Sequence, residues 1–117
     1  METQRLDAIK EQLAPPWTEN EERVIATGAI PIAVQKRGHW YHLKDRGEAV
    51  ARARALGAPD DWLDAAERLV AEEGFNVNRS GIVLVSAVEG RDVASLVLRL
   101  SDCAERVQAA LLDSVDA

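Results

Sequence analysis

The sequence predicts a single α+β domain over residues 1–117, with helices packed on one face of an antiparallel sheet and a long C-terminal helix. Two short segments alternate apolar and polar residues around glycine-containing turns, which is typical of β-hairpins. Apolar residues recur at helical spacing before, between and after these segments. A length of 117 residues suits one domain.

The chain opens with a predicted helix over about residues 2–13, where apolar residues share one helical face. Pro15 and Pro16 end this helix, because proline cannot donate to the helical hydrogen-bond ladder. We therefore interpret residues 1–16 as a helix and a Pro-Pro connection within the same domain. Residues 23–27 fit a helical turn and a strand equally well.

The first hairpin is predicted around Gly38, after alternating apolar residues over 30–35. With Arg37-Gly38 as the two-residue loop, Gln35 faces Trp40 across the strands. This pairing gives the hairpin one core face and one mixed face. The core face holds Ile32, Val34, Tyr41 and Leu43, and the mixed face holds Ala33, Gln35, Trp40 and His42.

Two helices follow the hairpin. Asp45 and Glu48 have the spacing of a capping box ahead of the first helix, and Gly57 ends it. The second helix runs over about residues 60–73 and has an apolar stripe opposite a charged face. The stripe contains Trp62, Leu63, Ala66, Leu69 and Val70.

A second hairpin is predicted around the turn Asn78–Gly81. A helix over about residues 93–115, with Asp92 as its N-cap, then keeps one apolar face for more than four turns. Because Leu96, Leu98 and Leu100 also alternate, a strand over 92–100 is the alternative. With the helix, the order of elements is α-β-β-α-α-β-β-α.

Charge and composition exclude several classes of protein. The formal net charge is −6. Residues 59–117 carry five basic and twelve acidic residues, a net charge of −7, and residues 1–58 have a net charge of +1. A nucleic acid would have to bind through Lys36, Arg37, Arg46, Arg52 and Arg54, and the net negative charge of the chain opposes such a partner. No apolar run is long enough to cross a membrane. A single cysteine, Cys103, indicates a reducing compartment, and we expect a cytoplasmic protein.

The sequence contains no motif that carries known chemistry. It has no glycine-rich phosphate loop, no paired-cysteine metal motif and no nucleophile elbow. Its two histidines, His39 and His42, are three apart on a predicted strand and so point to opposite faces. Cys103 lies on the apolar stripe of the last helix, as a core residue would. We expect no metal and no cofactor, and the residues favour a function without catalysis.

Two surfaces are candidates for binding a partner protein. The first is the mixed hairpin face, where Trp40 lies with Gln35 and His42, beside Arg37 and His39 at the turn. A helix covering this face is the alternative, and it would bury Trp40. The second surface is the acidic face of the 60–73 helix, which consists of Asp60, Asp61, Asp64 and Glu67.

The leading interpretation is an interaction module that inhibits or regulates another protein, as an immunity-like or accessory factor does. A homodimer or other oligomer is the alternative, assembled through Leu98 and Leu112, which lie outside the main stripe of the last helix. The third interpretation is a ligand-binding domain or enzyme with a pocket near Trp40 and His42.

The segment Tyr41-His42-Leu43-Lys44-Asp45-Arg46-Gly47 resembles a strand-turn-helix signature, Tyr-x-Leu-Thr-Asp-x-Gly. The signature belongs to a family of small uncharacterised domains of bacteria and mobile elements, and Lys44 replaces its threonine. The resemblance extends over about residues 30–115 through the order helix, helix, hairpin, long helix. It implies a role in conflict or regulation and assigns no catalytic residues.

Overall fold

Four α-helices and five strands are formed within residues 2–113, the part of the chain that the computed structural model describes. In chain order they are α1 (Glu2–Gln12), β1 (Glu22–Ile25), β2 (Ile32–Arg37), β3 (Trp40–Lys44), α2 (Glu48–Ala55), α3 (Trp62–Ala71), β4 (Asn76–Val77), β5 (Val83–Val88) and α4 (Val93–Asp113). All pairings are antiparallel, and the strand order is β1-β2-β3-β5-β4. The α+β class is confirmed.

The predicted order lacks one strand. Residues 23–27, which fitted either a turn of helix or a strand, contribute most of β1, and β1 pairs with β2 at the edge of the sheet. Only Ile25 is fully buried in it. A four-residue edge strand with one core residue carries too short an alternation to distinguish it from a helical turn.

The first hairpin has the predicted faces but a different register. Its loop is Gly38-His39 rather than Arg37-Gly38, so that Arg37 pairs with Trp40 and Gln35 pairs with His42. Gly38 has φ +60°, and a positive φ at the first loop residue alone marks a type II′ turn. The loop has moved by one residue, which shifts the pairing by two and leaves every side chain on its predicted face.

The core lies between the sheet and the helical layer. Helix α4 packs against β2, β3 and β5, and α1, α2 and α3 pack around α4. The core side of the first hairpin is the predicted one, with Ile32, Val34 and Leu43 buried and Tyr41 partly buried. The helix was the correct interpretation of residues 93–113, and its predicted end at 115 lies outside the described residues.

Asp45 joins three parts of the fold through one buried carboxylate. It follows β3 and is fully buried. Its carboxylate accepts hydrogen bonds from the backbone N–H groups of Gly47 (2.8 Å), Ala49 (3.3 Å) and Val83 (2.9 Å). The first two lie at the start of α2, and the third lies in β5. Asp45 thus caps a helix and fixes it to the neighbouring strand. The predicted capping box itself does not form, because the Glu48 carboxylate pairs with Arg52 and the backbone N–H of Asp45 donates to the carbonyl oxygen of Val83.

We predict that Asp45→Ala lowers the free energy of unfolding by about 3 kcal/mol, because it leaves three backbone donors without their acceptor, one of them inside the sheet. Chemical denaturation of both proteins at neutral pH measures the change. Asp60→Ala is the matched control, since Asp60 is exposed, and it should change stability by less than about 0.5 kcal/mol. A loss below about 1 kcal/mol for Asp45→Ala would contradict this assignment.

The same carboxylate predicts a pH dependence. Burial raises the pKa of Asp45 above its ordinary value, against the opposing effect of the backbone hydrogen bonds from Gly47, Val83 and Ala49. The folded protein then holds this proton more tightly than the unfolded chain does. The contribution of Asp45 to stability is therefore largest below the pKa of the unfolded chain and falls as pH rises through the folded value.

Asp45→Asn removes this titration and leaves the other carboxyl groups in place. We expect the wild type to lose free energy of unfolding relative to Asp45→Asn as pH rises from about 3 to about 7. Denaturation curves for both proteins across this range measure the difference. A difference that grows in favour of the wild type as pH rises would show that the pKa of Asp45 is lowered instead.

Candidate functional site

One side of the sheet carries no helical layer, and we call it the open face. Strand register assigns its residues, because side chains paired across neighbouring antiparallel strands lie on the same side. The open face consists of Glu22, Val24, Ala33, Gln35, Arg37, Trp40, His42, Lys44, Asn76 and Leu84. The helices of the described part of the chain lie on the other side, where α1, α2 and α3 pack around α4.

Trp40 is exposed on the open face, so the alternative in which a helix buries it is wrong. It retains 46% of its accessible surface, in the central strand of the sheet. Its cross-strand partner is Arg37, and Gln35 pairs with His42 in the next row. His39 lies in the adjoining loop and is also exposed. The structure therefore brings together all five residues that the sequence analysis assigned to this surface.

The row of the open face farther from the hairpin loop is less polar. Across neighbouring strands, Val24 pairs with Ala33, Ala33 pairs with Lys44, and Lys44 pairs with Leu84. Val24 retains 48% of its surface. The ammonium group of Lys44 lies 3.8 Å from the carboxylate of Glu22, across the two rows. Apolar and charged side chains thus occur together on this face, and the small side chain of Ala33 is fully buried among them.

The acidic face is exposed but belongs to a different part of the molecule. Asp60 and Asp61 precede α3, while Asp64 and Glu67 lie on its outer side, and all four are exposed. Because α3 lies in the helical layer and contacts β4, the acidic face and the Trp40 surface do not form one site. The apolar stripe of α3 lies inward, and Trp62 is buried in the core as predicted.

Beneath the hairpin, on the helical side, Trp17 supports β3. Its ring meets Tyr41 edge to face at 5.5 Å, and its indole N–H donates to the carbonyl oxygen of Leu13 at 2.8 Å. The guanidinium of Arg23 lies 3.9 Å from the centre of the Trp17 ring. Trp17 therefore packs inward, partly buried against the core.

Arg23 fixes the connection between α1 and β1. Its guanidinium donates to the carbonyl oxygens of Gln12 (3.0 Å), Ala14 (2.9 Å) and Pro16 (2.6 Å), and it pairs with Glu21. The pKa of Glu21 is lowered, first by the hydrogen bond from the backbone N–H of Thr18 and then by Arg23. The sequence analysis missed this cluster, because its partners are backbone atoms that leave no residue pattern.

A cleft of about 220 Å³ opens between the end of α1 and the start of α4. Ligand pockets usually measure roughly 300–1,000 Å³, so this one is small. Neither Trp40 nor His42 lines it. Its lining consists of Lys10, Leu13, Ala14, Pro15, Trp17, Tyr41, Gly90, Arg91, Val93 and Ala94. The cleft therefore lies on the helical side of the sheet, whereas the ligand-binding interpretation placed a pocket near Trp40 and His42.

The structure also tests for a metal site. Within that range no three His, Cys, Asp or Glu side chains come together where they could hold a metal ion. Cys103 is fully buried in the core, as predicted. Among the helices described, none is both long and apolar enough to cross a membrane.

Comparisons with protein-family models, with curated proteins and with solved structures give no match to this chain. The resemblance of Tyr41–Gly47 to a domain family therefore stays a prediction. Its residues have a structural role here, because Asp45 is the buried cap, and Arg46 and Gly47 take the left-handed backbone conformation, with φ +63° and φ +81°.

The environment of Cys103 predicts its reactivity. Burial raises the pKa of this thiol to about 12, with a further contribution from the nearby carboxylate of Glu73. We expect native protein to resist a thiol reagent at pH 8 and to react fully once it is unfolded in guanidinium chloride. Absorbance of the released thiolate of Ellman's reagent measures both rates. Rapid stoichiometric labelling of the native protein would contradict the buried assignment.

Proposed function

We propose that the protein is a non-enzymatic interaction module, and that it binds another protein through the Trp40 end of its open face. The observation that carries this proposal is the exposure of Trp40 at the start of the central strand, β3, on a side of the sheet that no described helix covers. Tryptophan and arginine are the residues most enriched among binding hot spots. Here they are cross-strand neighbours, Trp40 and Arg37.

The polar residues around Trp40 support a binding interface rather than a face that another part of the same chain covers. Gln35 and His42 offer hydrogen-bonding groups next to the indole, and Arg37 and His39 give a cationic rim. An interface commonly combines an aromatic centre with such a polar rim. A face that another helix of the same chain had to cover would need more apolar residues than these rows contain.

The rigidity of the hairpin also favours binding. The two-residue turn at Gly38-His39 limits its motion, and Trp17 packs against Tyr41 from the opposite side. A surface already held in its bound shape loses less conformational entropy on association. Less of the free energy gained by burying Trp40 is then offset by the cost of ordering the hairpin.

The composition of the whole chain indicates the type of partner protein. An acidic, single-domain protein, whose described residues include no group of His, Cys, Asp or Glu that could hold a metal ion, suits an inhibitor, an immunity-like protein or an accessory regulator. The family resemblance of Tyr41–Gly47 points in the same direction. The acidic face on α3 is a second candidate surface, for a basic partner.

Self-assembly through α4 is the alternative function, and it has less support. Leu98 is buried and Leu112 packs partly against the core, so neither adds an exposed apolar stripe to that helix. A stable two-fold interface needs such a stripe or its equivalent. We therefore rank a separate partner above a second copy.

We predict that Trp40→Ala abolishes capture of a stoichiometric partner from the native host's lysate, because truncating a central aromatic residue costs about 2 kcal/mol or more of binding energy. Quantitative mass spectrometry of the captured proteins measures the loss, and circular dichroism verifies that the variant is folded. Leu56→Ala is the matched control, since Leu56 is 64% exposed at the end of α2, in the helical layer.

The double variant Asp61→Lys/Asp64→Lys tests the acidic face in the same experiment. Loss of the partner with this variant alone would move the site to α3 and contradict the Trp40 proposal. A partner retained by all variants would contradict both surfaces. Recovery of only the protein itself would favour the homo-oligomer.

A further inference from the structure

The outer edge of β1 presents unpaired backbone groups. The N–H of Lys36 donates to the carbonyl oxygen of Glu21 at 3.1 Å, in the same register as the β1–β2 pairing. Because hydrogen bonds alternate along an antiparallel strand, Arg23 and Ile25 also direct their backbone groups to β2. Glu22 and Val24 then direct theirs away from the sheet, at its edge.

Ala26 is the next residue whose backbone groups point away from β2, and it shows which hydrogen bonds this edge can form. Ala26 donates its N–H to the side-chain oxygen of Gln12 at 3.0 Å, and its carbonyl accepts from the amide nitrogen of Gln12, also at 3.0 Å. These two hydrogen bonds are the pair that a residue of an adjacent strand would make. Gln12 closes the edge at Ala26 and leaves Glu22 and Val24 open.

We propose that the open edge of β1 binds an extended, basic peptide segment of a partner protein as a sixth, antiparallel strand. The segment exchanges two hydrogen bonds with Glu22 and two with Val24, as in other complexes formed by strand addition. This inference rests on the proposed function as a protein-binding module. It places the contact on backbone groups that do not involve Trp40.

The side chains at the edge define the chemistry of that segment. Residues 18–26 contain three glutamates and one arginine, and Arg23 is already engaged with Glu21 and three carbonyl oxygens. Val24 is 48% exposed. A β-branched residue of the segment fits beside Val24. A lysine or arginine two positions later fits beside Glu22, because the carboxylate of Glu22 has only a long contact, 3.8 Å, with the ammonium group of Lys44.

A second copy of the chain suits this edge less well. Pairing β1 with itself would bring two segments of net charge −2 together, in two chains of net charge −6 each. Like charges across an interface oppose association. The acidic edge thus selects a partner of opposite charge.

The test is a titration of the full-length, ¹⁵N-labelled protein with a capped heptapeptide of threonine that has valine at its third position and lysine at its fifth. We expect the largest amide shift changes at Glu22 and Val24, together with slower hydrogen exchange of both amides. N-methylation of the valine and lysine of the peptide removes its donors without changing its charge. It should weaken binding at least about tenfold.

Variants of the protein separate this proposal from the previous one. Val24→Pro removes an outward N–H that bonds nothing in β2, and it should also weaken binding at least about tenfold. Should this variant fail to fold, the methylated peptide still decides. Trp40→Ala should leave peptide binding unchanged, so failure of the Trp40 proposal and failure of the edge proposal give different results.

Three results would overturn the proposal. The first is equal binding of the methylated and unmethylated peptides, or shift changes centred on the acidic face of α3, since either would indicate charge attraction alone. The second is concentration-dependent change at Glu22 and Val24 without peptide, which would identify a second copy as the occupant. The third is no change at either amide up to about 1 mM peptide, a concentration that detects weak complexes.

Discussion

The buried carboxylate of Asp45 is the interaction on which the arrangement of this fold depends. A charged group can be buried only where donors replace its lost water, and here Gly47, Ala49 and Val83 supply them. Two of these donors start α2 and one lies in β5, 38 residues further along the chain. Because β5 stands between β3 and β4, the same contact fixes half of the sheet relative to the helical layer. The open face is the consequence of this two-layer arrangement.

Much of this arrangement could be predicted from periodicity. Alternation in the first hairpin assigns Gln35, Trp40 and His42 to one side, and it does so even though the predicted register is wrong. The dipeptide Arg37-Gly38 and the dipeptide Gly38-His39 both place glycine where a two-residue turn can use it, so the local sequence does not decide between them. The two registers differ by two residues, and a shift of two preserves the faces. The composition of the site was therefore predictable, whereas the pairing of Trp40 with Arg37 was not.

Other features depend on contacts that no local pattern encodes. The strand β1 is stabilised by its partner β2 and by Arg23, whose guanidinium binds carbonyl oxygens of the preceding connection. A carbonyl oxygen is present at every residue, so the sequence does not show which ones an arginine will select. The same holds for Asp45: the capping-box spacing indicates a contact with the start of α2, but the bonds that the carboxylate makes, to Gly47, Ala49 and Val83, require the helix and the sheet to be assembled. The exposure of Trp40 likewise depends on where all four helices pack.

The open face and the open edge of β1 follow from a single constraint on this chain. The four helices described within residues 2–113 all lie on one side of the sheet, where α4 contacts three strands and the others surround it. None of these helices covers the second side, which would need a row of large apolar residues to hold one. That side contains Val24, Trp40 and Leu84 among polar and charged neighbours, enough to anchor a partner and too few to require permanent cover.

The edge of β1 is also covered only in part. The side-chain amide of Gln12 bonds the backbone of Ala26, whereas the outward backbone groups of Glu22 and Val24 stay uncovered. A natural edge strand is normally covered along its whole length or protected by charge, and the bare stretch here is short and acidic. Such an edge resists pairing with its own copy and keeps its backbone groups available to a strand of opposite charge.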